Sequence, residues 1–365
     1  MKADVRKDNI IFVTISMRGG GTERVISLLA DYYVSNGYTV EIMMIGDDRI
    51  EYEIDERINV YSISKATGGN SIERLKRIAN MRKHLAEDKN SIIIAMGTVA
   101  AMFTSIASFG LTNRVIISER NDPNRLNHRP IKSYEKMIRN FLYRRADKIV
   151  FQTRMASECF PNYLTKRGCV ILNPLNIDKE TDLSINDTTR SHTVITAGRL
   201  TEQKNHKLLI DAFEEFEELH AKDRYKLWIF GKGELEGQLS EYIADKHLDD
   251  KVVLKGFSDN LHDELRQGGI YVSSSDWEGI SNSLAEAMAC GIPVVATDCP
   301  MGGSAMLIKN GENGILINVG DKDALVQAMN MLADDSELYN KISKQGEAIA
   351  DELRVEDIAK QWLQI

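Results

Sequence analysis

Apolar residues fall in short continuous runs separated by stretches of helical periodicity, and this alternation persists from one end of the chain to the other. In the first half, Ile10–Ile15, Thr39–Ile45, Val60–Ser62, Ile92–Met96, Val115–Ser118, Lys148–Gln152 and Cys169–Leu172 read as strands. Between them the periodicity predicts helices over Thr22–Ser35, Ser71–Glu87, Val99–Phe109, Lys132–Ala146 and Arg154–Tyr163. Most of the strand runs are apolar at every position. A strand buried on one face only would alternate, so these runs predict a parallel sheet covered by helices on both faces.

The rhythm breaks at NPLNIDKETDLSINDTTR (173–190), a polar stretch without periodicity that holds a proline. It then restarts, with strands at His192–Thr196, Lys226–Phe230, Val252–Leu254, Ile270–Ser274, Pro293–Thr297 and Gly314–Ile317. Helices are expected at Asn205–Leu219, Glu234–Ala244, Leu261–Gln267 and Asn282–Ala289, with further helices to the C-terminus. The expected fold class is α/β, with two Rossmann-like doubly wound domains facing a central cleft. The expected divisions are residues 1–175, a linker at 176–190, residues 191–350, and a last helix at 351–365 packing back on the first domain. Ligands of open α/β sheets lie outside the carboxyl ends of their strands, so chemistry is sought in the loops there.

Composition narrows the class. A chain of 365 residues with 43% hydrophobic and 27% charged residues can bury two ordinary cores. Cys159, Cys169, Cys290 and Cys299 have no CxxC or zinc spacing, and Cys290 and Cys299 fall in core-like runs, so reduced buried thiols are expected. No secretory leader is read at the start, and a cytoplasmic location is expected. The uncharged run 90–113 is long enough to span a membrane, but Gly97, Thr98, Thr104, Ser105, Ser108 and Gly110 favour a strand, a turn and a buried helix. Charge is segregated: residues 1–175 hold 27 Lys and Arg against 19 Asp and Glu, whereas the whole chain carries a net −8. The acidic total argues against nucleic-acid binding, and the basic half suggests peripheral attachment to an anionic membrane surface.

The segment DWEGISNSLAEAMACGIPVVATD (276–298) raises the sharpest question. Its helix is apolar on nearly every side, yet carries Glu286, with Glu278 eight residues earlier. Ser281 or Asn282 is a suitable N-cap, so the helix start offers free N–H groups and the positive dipole end to a phosphate. Glu286 shares a face with Asn282, where a carboxylate can accept hydrogen bonds from a neutral diol such as a ribose. A carboxylate that merely caps nearby backbone is the plain alternative.

AGRLTEQKNHKLLIDAF (197–213) supplies Gly198 for a close turn and Arg199 and Lys204 before a helix, placed to neutralise a diphosphate. In IFGKGELEGQL (229–239), Gly231 and Gly233 let backbone approach a ligand, but neither a Walker loop nor a dinucleotide fingerprint is present. KGFSDN (255–260) is a further strand-end loop whose Phe257 can wall a base. MRGGGTERVISLLADYY (17–33) places Gly19, Gly20 and Gly21 before a helix opening at Thr22 or Glu23. Asp321-Lys322-Asp323 spells D-x-D, but it precedes a helix and is read as a cap.

In that order these motifs resemble the family 4 retaining glycosyltransferases of GT-B fold, over nearly the whole chain. The E-x7-E element formed by Glu278 and Glu286 is the more specific part of this resemblance. It implies a nucleotide-diphosphate sugar donor held mainly by the second half. Arg199 and Lys204 would hold the diphosphate, Glu286 the ribose hydroxyls, and Glu278 with Gly279, Ile280 and Ser281 the sugar. Asn282, Ser283 and Leu284 would complete the helix-end cradle, and Gly20 and Gly21 would face donor and acceptor. The transfer chemistry would fall to Arg199, Lys204 and Glu278. No metal or cofactor is expected, because two cations and a helix end do a metal's work. Where many family members carry a positioning histidine, this chain has Ser118-Glu119-Arg120-Asn121.

SERNDP and DCPMGGSAM resemble bacterial polysaccharide-assembly members, which implies a UDP-hexose donor and a glycan acceptor carried on a polyprenyl diphosphate. The alternative is a sugar-nucleotide isomerase (a 2-epimerase type) of the same architecture, for which no acid/base pair is evident. A non-catalytic adaptor and a nicotinamide-dependent oxidoreductase fit less well, the first because both glutamates and both cations are present, the second because the fingerprint is absent. Finally, the basic residues Lys132, Lys136 and Arg139 are expected to share one helix face which, with the cations of the helix over 71–87, would hold the first half to an anionic membrane in a salt-removable way; a plain solvated face is the alternative. Met137, Ile138 and Leu142 are then expected to pack on the sheet.

Overall fold

The computed structural model describes residues 9–63, 71–126, 129–175, 191–258 and 260–365. The chain forms two compact units, the first running to Asn176 and including Val355–Ile365, the second spanning Ile177–Arg354. The expected linker at 176–190 lies outside the described residues, as do His128 and Asp259.

The first unit runs β1 (Asn9–Thr14), α1 (Gly21–Ser35), β2 (Thr39–Met44), β3 (Asn59–Ser62), α2 (Ser71–Glu87), β4 (Ile92–Met96), α3 (Thr98–Ala107) and β5 (Arg114–Ser118). A short antiparallel pair, β6 (Arg125–Leu126) and β7 (Arg129–Pro130), precedes α4 (Ser133–Leu142), β8 (Lys148–Phe151), α5 (Arg154–Glu158), α6 (Asn162–Thr165) and β9 (Gly168–Val170). Seven of these strands make one parallel sheet ordered β3-β2-β1-β4-β5-β8-β9. Its central strands are buried because their side chains are apolar on both faces; Ile10 to Val13 and Ile92 to Met96 are almost fully covered. The uncharged run 90–113 is thus β4 followed by α3, and no helix among the described residues is long and apolar enough to cross a membrane.

The second unit runs β10 (Thr193–Ala197), α7 (His206–Leu219), β11 (Lys226–Phe230), α8 (Glu236–Asp245), β12 (Val252–Gly256), α9 (Leu261–Leu265), β13 (Ile270–Ser273), α10 (Asn282–Ala289), β14 (Val294–Thr297) and β15 (Ile315–Ile317). Helices α11 (Lys322–Asp334), α12 (Ser336–Gly346) and α13 (Ile349–Glu352) complete it. Its parallel sheet is ordered β12-β11-β10-β13-β14-β15. Asp321 caps α11, its carboxylate accepting from the Ala324 N–H at 2.9 Å. The last helix, α14 (Val355–Gln364), packs on α1 within the first unit, where the Tyr33 hydroxyl donates to the Ala359 carbonyl at 2.9 Å.

Three local expectations are corrected. The helix expected over Arg154–Tyr163 is two short helices, because Pro161 cannot donate to an earlier carbonyl and restarts the turn as the N-cap of α6. The helix expected over Lys132–Ala146 stops at Leu142 and tightens into a 3-10 turn over Tyr143–Arg145. Most consequentially, α4 is turned over. Arg139 is its one fully buried side chain, while Met137 and Ile138 point to solvent. The Arg139 guanidinium donates to the Pro123 carbonyl at 2.5 Å and lies 4.2 Å over the Phe160 ring, which satisfies its charge inside the unit.

Candidate active site

In the second sheet the strand order reverses between β10 and β13. The loops after these two strands therefore flank the switch point, where a crevice opens at the carboxyl ends. The loop after β10 carries Gly198, Arg199 and Lys204; the loop after β13 carries Glu278 and leads into α10.

The two loops are tied together at several points. Asn205, left-handed at φ 44°, caps α7 and donates through its amide to Asp276 at 2.8 Å. The Ser274 hydroxyl donates to the carbonyls of Lys204 at 2.9 Å and Asn205 at 3.1 Å. The Asp276 N–H returns a bond to the Gln203 carbonyl at 2.9 Å. This framework brings the Lys204 ammonium to 2.7 Å from Oε2 of Glu278. Glu278 also accepts from Gln203 Nε2 and the Ser275 hydroxyl, each at 3.2 Å. The sequence reading brought Lys204 and Glu278 forward separately; the structure joins them as an ion pair with both side chains mostly covered. It missed Gln203 and Ser275, although Gln203 stands directly before Lys204 in TEQKNH.

Arg199 is exposed in the same loop as Lys204, and among the described residues no ion pair engages its guanidinium. Behind the loop, His206 is buried; desolvation, reinforced by the Lys204 charge, pushes it down to about 4, so its ring is neutral at ordinary pH.

Helix α10 begins as the spacing predicts. Ser281 is the N-cap, accepting from the Leu284 N–H at 3.4 Å. Ser283 reaches back, donating to the Ala197 carbonyl at 2.8 Å, and the buried Tyr271 hydroxyl donates to Ser283 at 2.8 Å. These bonds anchor the helix start to the end of β10. Glu286 is buried in α10, and His262 Nε2 on α9 approaches its Oε1 at 3.9 Å, a neighbour the sequence reading did not name. Asn282 and Leu284 flank the first turn, and Phe257 follows β12 with 42% of its surface exposed.

Several glycines of this unit stand at close contacts within the chain. A Cβ on Gly231, at φ 133°, would lie 1.9 Å from the Gly198 carbonyl oxygen, and one on Gly233 would lie 2.3 Å from that of Leu200. These two residues let two loops of this unit touch backbone to backbone, and what they approach is the chain itself. Likewise a Cβ on Gly303 would meet the Gly279 carbonyl at 1.6 Å.

In the first unit, α1 opens at Gly21 with Gly20 as N-cap, ahead of the expected Thr22. Two N–H groups of the glycine loop are already engaged: Gly19 donates to Glu51 at 2.7 Å and Gly20 to the Tyr52 hydroxyl at 3.1 Å. Within the stretch Ser118-Glu119-Arg120-Asn121, Glu119 is buried and accepts from Thr98 at 2.9 Å and from the Tyr143 hydroxyl. Arg120 next to it donates to Asn173, and desolvation lowers it to about 10.

Comparison with known proteins names this arrangement. Residues 19–179 match the family description Glycosyltransferase Family 4, and residues 178–349 match Glycosyl transferases group 1, so the two together run through both units. The chain belongs to the family 4 glycosyltransferases and has their GT-B fold. A curated relative from Campylobacter jejuni, an N-acetylgalactosamine-N,N'-diacetylbacillosaminyl-diphospho-undecaprenol 4-alpha-N-acetylgalactosaminyltransferase, is 26% identical over 95% of this chain and 97% of its own length. The amylovoran biosynthesis glycosyltransferase AmsD of Erwinia amylovora is 25% identical over 97% of both chains. Among solved structures, Anabaena HepE in complex with UDP and glucose superposes with a TM-score of 0.81 at 21% identity, over 97% of this chain and 98% of that one.

Proposed function

We propose that this glycosyltransferase moves a hexosyl residue from a UDP-sugar to a lipid-linked glycan acceptor with retention of anomeric configuration, without a metal, at an anionic membrane surface on the cytoplasmic side. The observation that carries the donor side is the switch-point cluster: Lys204 held 2.7 Å from Glu278, Arg199 exposed in the same loop, and the start of α10 bonded through Ser283 to the end of β10. In the transfer, the bond from anomeric carbon to phosphate oxygen breaks and a bond to the acceptor hydroxyl oxygen forms. The hydroxyl proton passes to the leaving diphosphate. Arg199, Lys204 and the α10 N-terminus meet the negative charge that grows there, Glu286 receives the ribose hydroxyls, and Glu278 orients the sugar.

The relatives support the acceptor class: the Campylobacter jejuni protein is named for a diphospho-undecaprenol-linked substrate and the Erwinia amylovora protein for a polysaccharide. The UDP and glucose named for the Anabaena structure support the donor class. A panel of UDP-, GDP- and ADP-sugars, each offered with a polyprenyl-diphosphate-linked sugar, tests the reading by release of nucleoside diphosphate and by NMR of the new linkage. UDP release with an α-linked product from an α-donor, unaffected by EDTA, is expected. Preference for GDP- or ADP-sugars, an inverted linkage, or loss of activity in EDTA restored by Mg²⁺ contradicts the corresponding part.

A further inference from the structure

The overturned helix α4 leaves a surface that transfer chemistry does not explain. Tyr134, Met137, Ile138 and Phe141 recur at i, i+3, i+4 and i+7, the stripe a helix ordinarily turns to a core. Here they are 55%, 68%, 45% and 65% exposed, because the buried Arg139 fixes the opposite side inward. The stripe does not stand alone. Helix α3, which packs between α2 and α4, presents Ile106 at 41% exposure, and the turn just after it presents Phe109 at 75%. Helix α2 adds Ile72 and Leu75 at 64% and 66%. Three neighbouring helices thus present large apolar side chains to solvent, well beyond the scattered single residues normal on a soluble surface.

Exposed cations accompany them: Arg74, Lys76, Arg82 and Lys83 on α2, Lys132 before α4, and Arg144 after it, stacked 4.8 Å over the Tyr163 ring. Of the acids on these helices, Glu73 and Glu87 are exposed, and Glu135 is held by Arg129 at 2.6 Å. We propose that this α2–α3–α4 face is a membrane-docking surface that inserts its apolar stripe among the acyl chains of an anionic bilayer while the flanking cations meet the headgroups. A second copy of the chain is the poorer occupant. A twofold interface sets a patch against itself, which would bring these same cations face to face. The proposal deepens the membrane reading above, adding the face and an apolar contribution that salt does not screen.

Flotation of the full chain with vesicles tests it. With vesicles of mixed zwitterionic and anionic phospholipid, the wild type should float at low salt, and part of it should stay bound at high salt. Met137→Ser/Phe141→Ser should lower partitioning about tenfold and lose the salt-resistant fraction, with an unchanged melting temperature. Arg144→Glu should weaken binding at low salt only. A double variant that floats like the wild type, wild type that never floats, or a dimer in sedimentation that this variant abolishes, each overturns the docking surface. Transfer to a short water-soluble acceptor is read in parallel. That activity should be unchanged in the double variant, so a failure of docking is separable from a failure of the transferase reading.

Discussion

Lys204 and Glu278 form a mostly covered ion pair, so removing either would ordinarily strand a charge. Here the cost is softened on one side only. Without Lys204, Glu278 keeps the hydrogen bonds from Gln203 and Ser275. Lys204→Ala should therefore change the melting temperature little yet lower kcat on the order of a hundredfold or more, because the charge developing on the leaving diphosphate loses a partner. Equal losses of stability and turnover would make Lys204 a structural residue. His206 gives a second test at this scale. Its folded value, about 4, lies below its ordinary value of 6.5, so the unfolded chain binds the extra proton between those limits. Its contribution is present in full above about 6.5 and is lost as pH falls toward 4, with a ceiling of ~3 kcal/mol. Denaturant titrations of wild type and His206→Gln across that window should diverge at the acid end, where the wild type weakens faster; parallel curves would contradict the burial argument.

At the scale of elements, the loop after β11 is moulded on the loop after β10. Besides the missing Cβ of Gly231, the Gly198 N–H donates to the Phe230 carbonyl and the Leu200 N–H to the Lys232 carbonyl, both at 3.0 Å. Gly231→Ala drives a methyl carbon far inside van der Waals contact with a carbonyl oxygen and strains a positive φ, so the two loops must separate. A loss of a few kcal/mol in stability together with weakened nucleoside-diphosphate binding is expected, read by thermal melting and calorimetry. Normal binding in this variant would show that the Gly198–Lys204 loop is held by other means.

The same junction shows what the sequence makes legible. Continuous apolar runs dictate parallel strands, and strand-end loops with glycines, cations and carboxylates mark the candidate site, because these follow from local pattern and topology. What a glycine's open face meets is a tertiary fact: Gly231 reads the same whether ligand or backbone fills the space. The orientation of α4 was illegible for a similar reason. Its amphipathic stripe is strong, and only the pocket formed by Pro123 and Phe160 reveals that the arginine side is the buried one.

At the scale of the whole molecule, the backbone passes between the two units at two places, at Asn176 and again at Arg354. The second passage returns α14 to the first unit, where Trp362 is 1% exposed and the Ala359 carbonyl accepts from Tyr33 on α1. Each unit has its own apolar core, so the stability of α14 belongs to the first unit although its sequence follows the second. Trp362→Ala removes one of the largest buried side chains and should cost the first unit about 3–5 kcal/mol. The residues proposed for the donor site, Gly198 to Lys204 and Glu278 to Glu286, all lie in the second unit, whose core the substitution does not touch. Scanning calorimetry of the full-length variant should therefore show one transition moved to lower temperature. The other should stay in place and still rise when UDP is added, since a ligand stabilises only the state that binds it. A single transition shifted as a whole, or loss of the UDP-dependent rise, would mean that the two units unfold as one.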